Sequence, residues 1–458
     1  MARRLFASIF LAAACCSVAS AAAFNAASKN NVAVYYGQGP SQKPLSTYCA
    51  DPSIDIIILS FVNLFPQQAN GYPGINLGNQ CTEKTYPGPG YNGTESRPAD
   101  DHLPQCPDLQ RDLATCRKKS ADKKILLSLG GATPEYQLTG TADGEAFATM
   151  LWSMFGPRQK SWADEGLPRP FDDGTAAFSV DGFDLDIEHP SVDNSAGYKA
   201  LVAKLRSLYA TAKGTTFYLT ASPQCVVPDA NMAEILKSTV FDMVFVQFYN
   251  TPECSARRWA DANSKSSNKP RGSSSSSSDP DPAGFTFDAW ADFLAGAGGG
   301  SSGGGGSSSS SSSSSSKARQ TRLYIGLSGS ASAGAGAGNN VSPAQARALA
   351  AAFYCRPAFG GVAVWDATYA GANVEAGTGR NFYQAAKDAL LAIDADPEAD
   401  CSVSKGIPRA RPQSTGGRCG NGFGMACGSG GCCSQWGWCG TGNDHCGSGC
   451  QSGFGNCN

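Results

Sequence analysis

The chain has 458 residues, of which 36 are basic, 38 are acidic and 18 are cysteine. Residues 1–23 contain Arg3 and Arg4, continue in an apolar stretch and end in small residues, which is typical of a secretory signal. Removing Arg3 and Arg4 lowers the 36 basic residues to 34, against 38 acidic ones. Because no basic stripe remains, nucleic acid and anionic membrane surfaces are excluded as partners, and a neutral partner is favoured.

Cysteine usage and hydropathy indicate where the protein works. Cys15 and Cys16 lie in the signal segment, and the remaining cysteines divide into eight before and eight after a polar linker. Even counts in an oxidising compartment favour disulfides. No later segment has the roughly 20 continuous apolar residues that a membrane span needs. We expect a secreted monomer, extracellular or in the cell wall, without membrane contact.

Residues 29–400 alternate short β-branched or aromatic runs with amphipathic stretches, which predicts strands and helices in turn. The eight predicted strands are Val32–Tyr36, Ile54–Val62, Lys124–Leu129, Gly182–Ile187, Phe217–Ser222, Met243–Phe248, Leu323–Leu327 and Gly361–Trp365. The predicted helices are Leu109–Lys119, Phe147–Phe155, Tyr198–Ala212, Met232–Ser238, Ala344–Tyr354 and Phe382–Ile393. This pattern favours the α/β class and a (β/α)8 TIM barrel. Strand count alone also allows a doubly wound open sheet.

Two Ser/Gly-rich stretches, Ser273–Ser278 and Gly298–Ser316, interrupt the pattern between the sixth and seventh predicted strands. Such a composition cannot bury enough apolar surface to offset its ordering entropy. We interpret residues of about 264–317 as an insertion on the barrel surface. The alternative is a domain boundary, which would leave the last two predicted strands without a sheet.

The chain ends in a linker and a very small domain. Residues 402–417 are polar and contain prolines, as linkers do. Residues 418–458 hold eight cysteines in 41 residues. So short a segment cannot form an adequate hydrophobic core, and we expect it to depend on disulfides.

The most informative segment is the acidic strand from Asp181 to Glu188. Side chains alternate along a strand, so Asp184, Asp186 and Glu188 share one face while the apolar residues between them share the other. A solvated edge strand is the alternative, but it would leave that apolar face exposed. Carboxylates crowded inside a barrel have raised pKa values, because they cannot all ionise. A proton held this way at mild pH indicates acid catalysis, with Glu188 nearest the barrel mouth as the donor.

Five motifs together resemble family 18 glycoside hydrolases, specifically the class III chitinases of plants and fungi. Asp181, Asp184, Asp186 and Glu188 complete the DxxDxDxE signature of that family. The other matches, in the family's order, are VYYGQ at 34–38, KILLSLGG at 124–131, VQFYN at 246–250 and GVAVW at 361–365.

The resemblance implies a role for each residue of the signature. Glu188 would protonate the glycosidic oxygen, and Asp186 would orient the substrate's 2-acetamido group, which is the nucleophile in this family. Asp184 would adjust the charge on Asp186. Tyr249 would donate to the acetamido oxygen, and Trp365 would form an apolar floor beneath the sugar. Without the motifs, Tyr249 and Trp365 would be interpreted as core aromatics.

Further substrate contacts are expected from the same motifs, at Asp181, Gln247, Asn250 and Tyr35. Glycines of the SxGG motif could serve close strand packing alone. No His or Cys group has metal-site spacing, and no cofactor is expected. The long segment 67–104 departs from the shorter loops of the plant members, so the resemblance does not assign the residues that bind the outer sugars.

The C-terminal segment resembles a hevein-type chitin-binding module. In such modules Ser434, Trp436 and Trp438 match ligand-contacting positions, and two tryptophans in so small a domain must lie at its surface. The fourth position is usually a tyrosine and here is His445, so we expect weaker, pH-dependent binding. The disulfide cysteines of the module are Cys419, Cys427, Cys432, Cys433, Cys439, Cys446, Cys450 and Cys457.

The family resemblance also implies disulfides within the barrel. It pairs Cys49 with Cys116, Cys81 with Cys106 and Cys225 with Cys254. Cys355 and Cys401 then remain as a pair.

The resemblance thus implies an endochitinase that cleaves β-1,4-linked N-acetylglucosamine polymer with retention and binds insoluble chitin through its C-terminal module. Its partners would be chitin and chitooligosaccharides. The alternative is a non-catalytic chitin lectin or wall protein on the same barrel.

Overall fold

The computed structural model describes residues 24–264, 284–296, 320–333, 338–395, 417–419, 427–428, 431–451, 454–455 and 457. The signal segment 1–23, both Ser/Gly-rich stretches and the linker up to residue 416 lie outside these ranges. The interpretations of those segments stay predictions.

Eight parallel strands form a closed barrel. Their order is β1-β9-β8-β7-β6-β5-β4-β2, and β1 also pairs with β2, which closes the sheet. A short strand, β3, pairs antiparallel with β2 outside the barrel. The strands are β1 (Asn31–Tyr36), β2 (Ile56–Leu64), β3 (Gly74–Ile75), β4 (Lys124–Gly131), β5 (Gly182–Ile187), β6 (Tyr218–Ala221), β7 (Met243–Gln247), β8 (Arg322–Ser328) and β9 (Phe359–Trp365). The predicted TIM barrel is confirmed, and the open sheet is excluded.

Helices follow the strands and cover the outside of the barrel. The α-helices are α1 (Leu45–Ala50), α2 (Pro107–Lys119), α3 (Gly140–Phe155), α4 (Lys160–Asp164), α5 (Ala196–Thr211), α6 (Ala233–Ser238), α7 (Ala256–Ser264), α8 (Phe287–Ala295), α9 (Pro343–Phe353), α10 (Ala367–Ala372) and α11 (Phe382–Asp394). Short 3-10 helices are Pro66–Gln68, Gly78–Gln80, Pro98–Asp100 and Pro252–Cys254. Capping boxes at Ser342 and Asn381 start α9 and α11. None of the helices in the described ranges is long and apolar enough to cross a membrane.

The strands that follow the Ser/Gly-rich stretches belong to the same barrel as those before them. β8 pairs with β7, and β9 pairs with β8 and β1. The last two predicted strands are therefore not left without a sheet.

Two glycines allow close contact between β5 and its neighbours. A Cβ on Gly130 would lie 2.2 Å from the Asp186 carbonyl oxygen, and one on Gly182 would lie 1.9 Å from the Tyr218 carbonyl oxygen. Both positions also have positive φ, +111° and +154°, where a side chain would be strained. The glycines thus permit the strand packing that aligns the acidic residues at the barrel mouth.

Disulfides join elements on the barrel exterior. The structure forms Cys49–Cys116, Cys81–Cys106 and Cys225–Cys254, the pairs that the family resemblance implies. Cys355 is also disulfide-bonded, and Cys401 lies outside the described residues.

The C-terminal module consists of β10 (Cys432–Cys433), β11 (Cys439–Gly440) and α12 (Asn443–Cys446). Its disulfides are Cys419–Cys433, Cys427–Cys439, Cys432–Cys446 and Cys450–Cys457. They surround a small core to which Phe454 adds the only large side chain among the described residues of that cluster. Covalent links replace the hydrophobic core that so short a chain lacks.

Candidate active site

Asp184 lies deepest of the three carboxylates on the inner face of β5. It is 0% exposed and accepts hydrogen bonds from the hydroxyls of Ser128 at 2.7 Å and Thr220 at 2.6 Å. Ser222 donates to it at 3.2 Å and Tyr35 at 3.3 Å. Four hydroxyls, from β1, β4, β6 and the residue that follows β6, thus hold this carboxylate in place, and that of Tyr35, predicted to bind substrate, is one of them.

Gln247, the last residue of β7, joins the two outer carboxylates. Its Nε2 donates to Oδ1 of Asp186 at 2.9 Å and to Oε1 of Glu188 at 3.0 Å. The same nitrogen lies 3.0 Å from the carbonyl oxygen of Ser222, so two protons serve three acceptors. Asn250 donates to Oε1 of Gln247 at 2.6 Å and fixes the orientation of that amide. The structure therefore brings together Asp186, Glu188, Gln247 and Asn250.

Burial and mutual repulsion favour a proton within this cluster. The pKa of Asp186 is raised well above its ordinary value, first by burial and then by the charges of Glu188 and Asp184. Burial also raises the pKa of Asp184, although the hydroxyls that donate to it oppose this. Asp186 therefore keeps a proton to a higher pH than an exposed carboxyl group does.

Tyr249 follows β7 and lies close to the same carboxylates. Its side chain is buried, and burial followed by the charges of Asp186, Glu188 and Asp184 raises its pKa well above the ordinary value. The phenol therefore stays neutral and acts as a donor. Its hydroxyl has no hydrogen-bond partner among the described residues, so this donor is available to a ligand.

Three rings form an aromatic floor at the barrel mouth. Trp365, at the end of β9, is half-buried, and the ring of Phe61 stacks on it with centroids 5.7 Å apart. The Tyr35 ring lies 5.5 Å from the Trp365 ring on a tilted plane. A partly exposed indole supported by two buried rings offers an apolar face to a ligand. The sequence motifs did not single out Phe61.

Tyr136 is a second residue that sequence reasoning missed. It is 0% exposed, and its hydroxyl accepts the backbone N–H of Glu188 at 3.0 Å and donates to the carbonyl oxygen of Gly131 at 2.9 Å. The only sequence signal is its place just after the SxGG motif. Nothing in the sequence links it to β5.

The structure does not bring Asp181, predicted to contact substrate, to the carboxylate cluster at the barrel mouth. Its Oδ2 accepts the backbone N–H of Ile125 at 2.8 Å and pairs with Arg117 at 2.9 Å, at the amino end of β5. Glu188 lies seven residues further on, which is about 23 Å along a strand at about 3.3 Å per residue. Asp181 therefore anchors α2 and β4 to β5 at the far end of the barrel.

The predicted ligand contacts of the module are unequally accessible. Trp436 is 65% exposed and Trp438 is 48% exposed, with the Arg418 guanidinium 4.0 Å from the Trp438 ring centroid. His445 is half-buried beside Gly440. Ser434 is buried, and its hydroxyl accepts the Trp438 N–H at 3.2 Å, so it is the least available of the four.

One group of side chains in the described part of the chain has the spacing of a metal site. The sulfur atoms of Cys419, Cys427 and Cys433 lie within 4.8 Å of one another. All three are in disulfides and so cannot act as thiolate ligands.

The fold and the site define a (β/α)8-barrel protein with a carboxylate cluster at the carboxyl ends of its strands, where barrel enzymes have their active sites. The family pattern described as glycosyl hydrolases family 18 matches residues 31–280, more than half of the chain, and the chain belongs to this family. The pattern described as chitin recognition protein matches residues 418–457. Both resemblances seen in the motifs are confirmed. β8 and β9 complete the barrel beyond the family match.

Curated fungal proteins are similar to this chain over part of their length. A probable endochitinase of Arthroderma benhamiae is 42% identical over 272 residues, which cover 58% of this chain and 32% of that protein. Endochitinase A of Aspergillus niger is 34% identical over 403 residues, which cover 84% of this chain and 26% of that protein. The chain thus spans about a quarter to a third of the length of these relatives.

Solved structures share the barrel. The ICChI chitinase from Ipomoea carnea has a TM-score of 0.51 and 24% identity, covering 78% of this chain and 99% of that one. A xylanase and alpha-amylase inhibitor protein from Scadoxus multiflorus has a TM-score of 0.50 and 23% identity, covering 79% and 98%. At such identities the likeness concerns the fold alone.

Proposed function

We propose that this chain is an endochitinase that hydrolyses β-1,4-linked N-acetylglucosamine polymer with retention of anomeric configuration. The observation that carries the proposal is the pair of Asp186 and Glu188. One carboxyl group is buried with a raised pKa, the other is half-buried at the barrel mouth, and Gln247 donates to both. Family membership and the names of the fungal relatives support the substrate class.

Glu188 is the acid in the proposed reaction. It protonates the glycosidic oxygen while the carbonyl oxygen of the substrate's acetamido group attacks the anomeric carbon, and the bond to the leaving sugar breaks. The Glu188 carboxylate then accepts a proton from the water that attacks the same carbon, and the bond from that carbon to the acetamido oxygen breaks. Two displacements at one carbon retain the configuration.

Asp186 and Tyr249 hold the acetamido group in this proposal. The raised pKa of Asp186 lets it begin protonated beside Glu188. Asp186 passes this proton to the Glu188 carboxylate and then accepts the acetamido N–H as a carboxylate. The unpartnered Tyr249 phenol donates to the acetamido oxygen. Asp184, fixed by its hydroxyl donors, tunes the charge on Asp186. Trp365 supports the apolar face of the sugar.

The C-terminal module retains the protein on insoluble chitin through the exposed rings of Trp436 and Trp438. We place the protein outside the cell or in the cell wall, because its disulfides persist in an oxidising compartment.

Release of soluble oligosaccharides from colloidal chitin tests the proposal. The native chain should release them, whereas Glu188→Gln should release about 100- to 10,000-fold less, which is what general acid catalysis contributes. Equal, negligible release by both would favour the non-catalytic chitin lectin instead.

A further inference from the structure

A tight turn in the long segment 67–104 presents Asn92 to solvent. Tyr91 and Glu95 pair antiparallel across the turn, and the Tyr91 N–H donates to the Glu95 carbonyl oxygen at 2.8 Å. Asn92 is exposed and has a φ of 53°, a left-handed backbone that asparagine adopts more readily than most residues. Its side chain makes no hydrogen bond to another described residue. The amide of Asn92 is therefore accessible in the folded chain.

The space around the turn is open, while the base of the turn is anchored. A Cβ built at Gly93 would meet no atom within 4 Å. The Arg97 guanidinium lies over the Tyr91 ring, 4.8 Å from its centroid, and the Tyr91 hydroxyl donates to Asp100 at 3.0 Å. A bulky group on Asn92 would therefore extend into solvent without displacing the anchored base.

Asn92, Gly93 and Thr94 form the Asn-X-Ser/Thr sequence at which N-linked glycans are attached. Thr94 is exposed on the same turn, and its hydroxyl donates to the carbonyl oxygen of Tyr91 at 3.2 Å. Three residues of this kind often occur together by chance. The exposed turn is thus the observation that marks this site, because a glycan is bulky and needs a surface position.

The chain contains a second sequence of this kind, Asn340-Val341-Ser342, in a different setting. Asn340 is half-buried, and Val341 is 1% exposed. The Ser342 hydroxyl accepts the Gln345 N–H at 3.2 Å in the capping box that begins α9. Pro343 follows directly and restricts the backbone of Ser342 to an extended conformation. A bulky group on Asn340 would crowd the packed side chain of Val341 and the start of α9.

We propose that Asn92 carries an N-linked oligosaccharide and that Asn340 does not. In the attachment step, Nδ2 of Asn92 forms a bond to C1 of the first sugar, and the bond from C1 to a phosphate oxygen of a polyprenyl diphosphate donor breaks. The polyprenyl diphosphate leaves, and one amide proton passes to a basic group of the transferring enzyme. The inference rests on the extracellular location proposed above, since donor and enzyme belong to the secretory route. It does not depend on the proposed reaction with chitin.

Peptide mapping by mass spectrometry tests the modification on the full chain, secreted by a eukaryotic host cell. Treatment with peptide N-glycosidase in water enriched in oxygen-18 converts a glycosylated asparagine to an aspartate that carries the heavy isotope. We expect the label at Asn92 and none at Asn340. A secreted chain with an unlabelled Asn92, or with a label at Asn340, would overturn the inference.

Variants compared by electrophoretic mobility show which residues the modification needs. Asn92→Gln and Thr94→Ala should each abolish the shift that the glycosidase produces in the native chain. Thr94→Ser, which keeps the hydroxyl, and the matched control Asn340→Gln should both retain it. Thr94→Ala also covers the case in which glutamine is strained at the positive φ of Asn92. A shift that persists in Asn92→Gln, or is lost in Asn340→Gln, would contradict the proposal.

Hydrolysis of colloidal chitin distinguishes this inference from the proposed function. Asn92→Gln should release soluble oligosaccharides at the native rate, because Asn92 belongs neither to the carboxylate cluster nor to the aromatic floor. A labelled Asn92 in a native chain that releases none would overturn the proposed function and support the inference. A native chain that stays inside the cells with an unlabelled Asn92 would overturn the proposed location and the inference together.

Discussion

The hydroxyl of Tyr136 accepts the backbone N–H of Glu188 at a distance of 3.0 Å. The same hydroxyl lies 2.9 Å from the carbonyl oxygen of Gly131, so it ties the end of β5 to the end of β4. Tyr136 touches neither a sugar nor a reacting atom in the proposed mechanism. It is a positioning residue that fixes where the acid stands.

Tyr136→Phe should therefore slow the reaction without weakening substrate binding. Leaving the Glu188 N–H unpaired costs about 1–3 kcal/mol, and we expect kcat to fall about tenfold with little change in KM. Steady-state kinetics on a soluble oligomer separates the two constants. Tyr198→Phe is the control, since Tyr198 is equally buried and packs on the same Phe65 ring. Equal losses of kcat in both variants would indicate that Tyr136 contributes packing and does not position Glu188.

Asp186→Asn should stabilise the fold at high pH while abolishing activity. The folded-state pKa of Asp186 is raised above its unfolded value by burial and by Glu188 and Asp184. The native chain therefore loses stability as the pH rises through the folded-state pKa, and the amide avoids that loss. We expect an unfolding temperature about 2–4 °C above native at pH of about 8, with no difference at pH of about 4. Thermal unfolding followed by circular dichroism at both pH values measures this difference. A difference in unfolding temperature that does not change with pH would contradict the raised pKa of Asp186.

Asp181→Asn should lower stability and leave activity unchanged, which is the reverse of the expectation for Asp186→Asn. It weakens the ion pair with Arg117 at the amino end of β5, and we expect a loss of about 1–3 kcal/mol in unfolding free energy near neutral pH. Because this residue lies far from the barrel mouth, kcat and KM should stay unchanged. Denaturant titration and oligomer hydrolysis of the same preparation check both expectations. A selective loss of kcat would restore Asp181 to the active site.

Replacing Trp436 and Trp438 by alanine should separate binding from cleavage. Both rings are exposed in the module, and we expect retention on insoluble chitin to fall at least about tenfold, since buried aromatic contacts of this kind are worth about 1–3 kcal/mol or more. Hydrolysis of soluble oligomers should not change. Leu391→Ala, an exposed apolar residue on α11, is the control for surface hydrophobicity. Unchanged retention of the double variant would contradict the role of the module in chitin binding.

The sequence predicted the barrel strands well because buried parallel strands are nearly continuous apolar runs. Each predicted strand lies within two residues of an observed one. Closure of the barrel could not be predicted in this way, because it depends on pairing between β1 and its neighbours β2 and β9. Short helices such as α10 have too few residues for a clear periodicity.

The site was predictable along one strand but not between strands. Alternation grouped Asp184, Asp186 and Glu188, and the same rule would have put Asp181, at an odd number, on the other face. Its assignment followed the family motif instead. The contacts of Tyr136 with β5 and of Phe61 with Trp365 join segments distant in sequence, and no local pattern encodes them.

The most direct test of the account is the anomeric configuration of the first product. If the substrate's acetamido group is the nucleophile and Glu188 the acid, cleavage of the β-linked hexamer must release the β-anomer first, followed by slow equilibration. Proton NMR within the first minutes of reaction distinguishes the anomers, with Glu188→Gln as the control without product. Initial release of the α-anomer would contradict the mechanism.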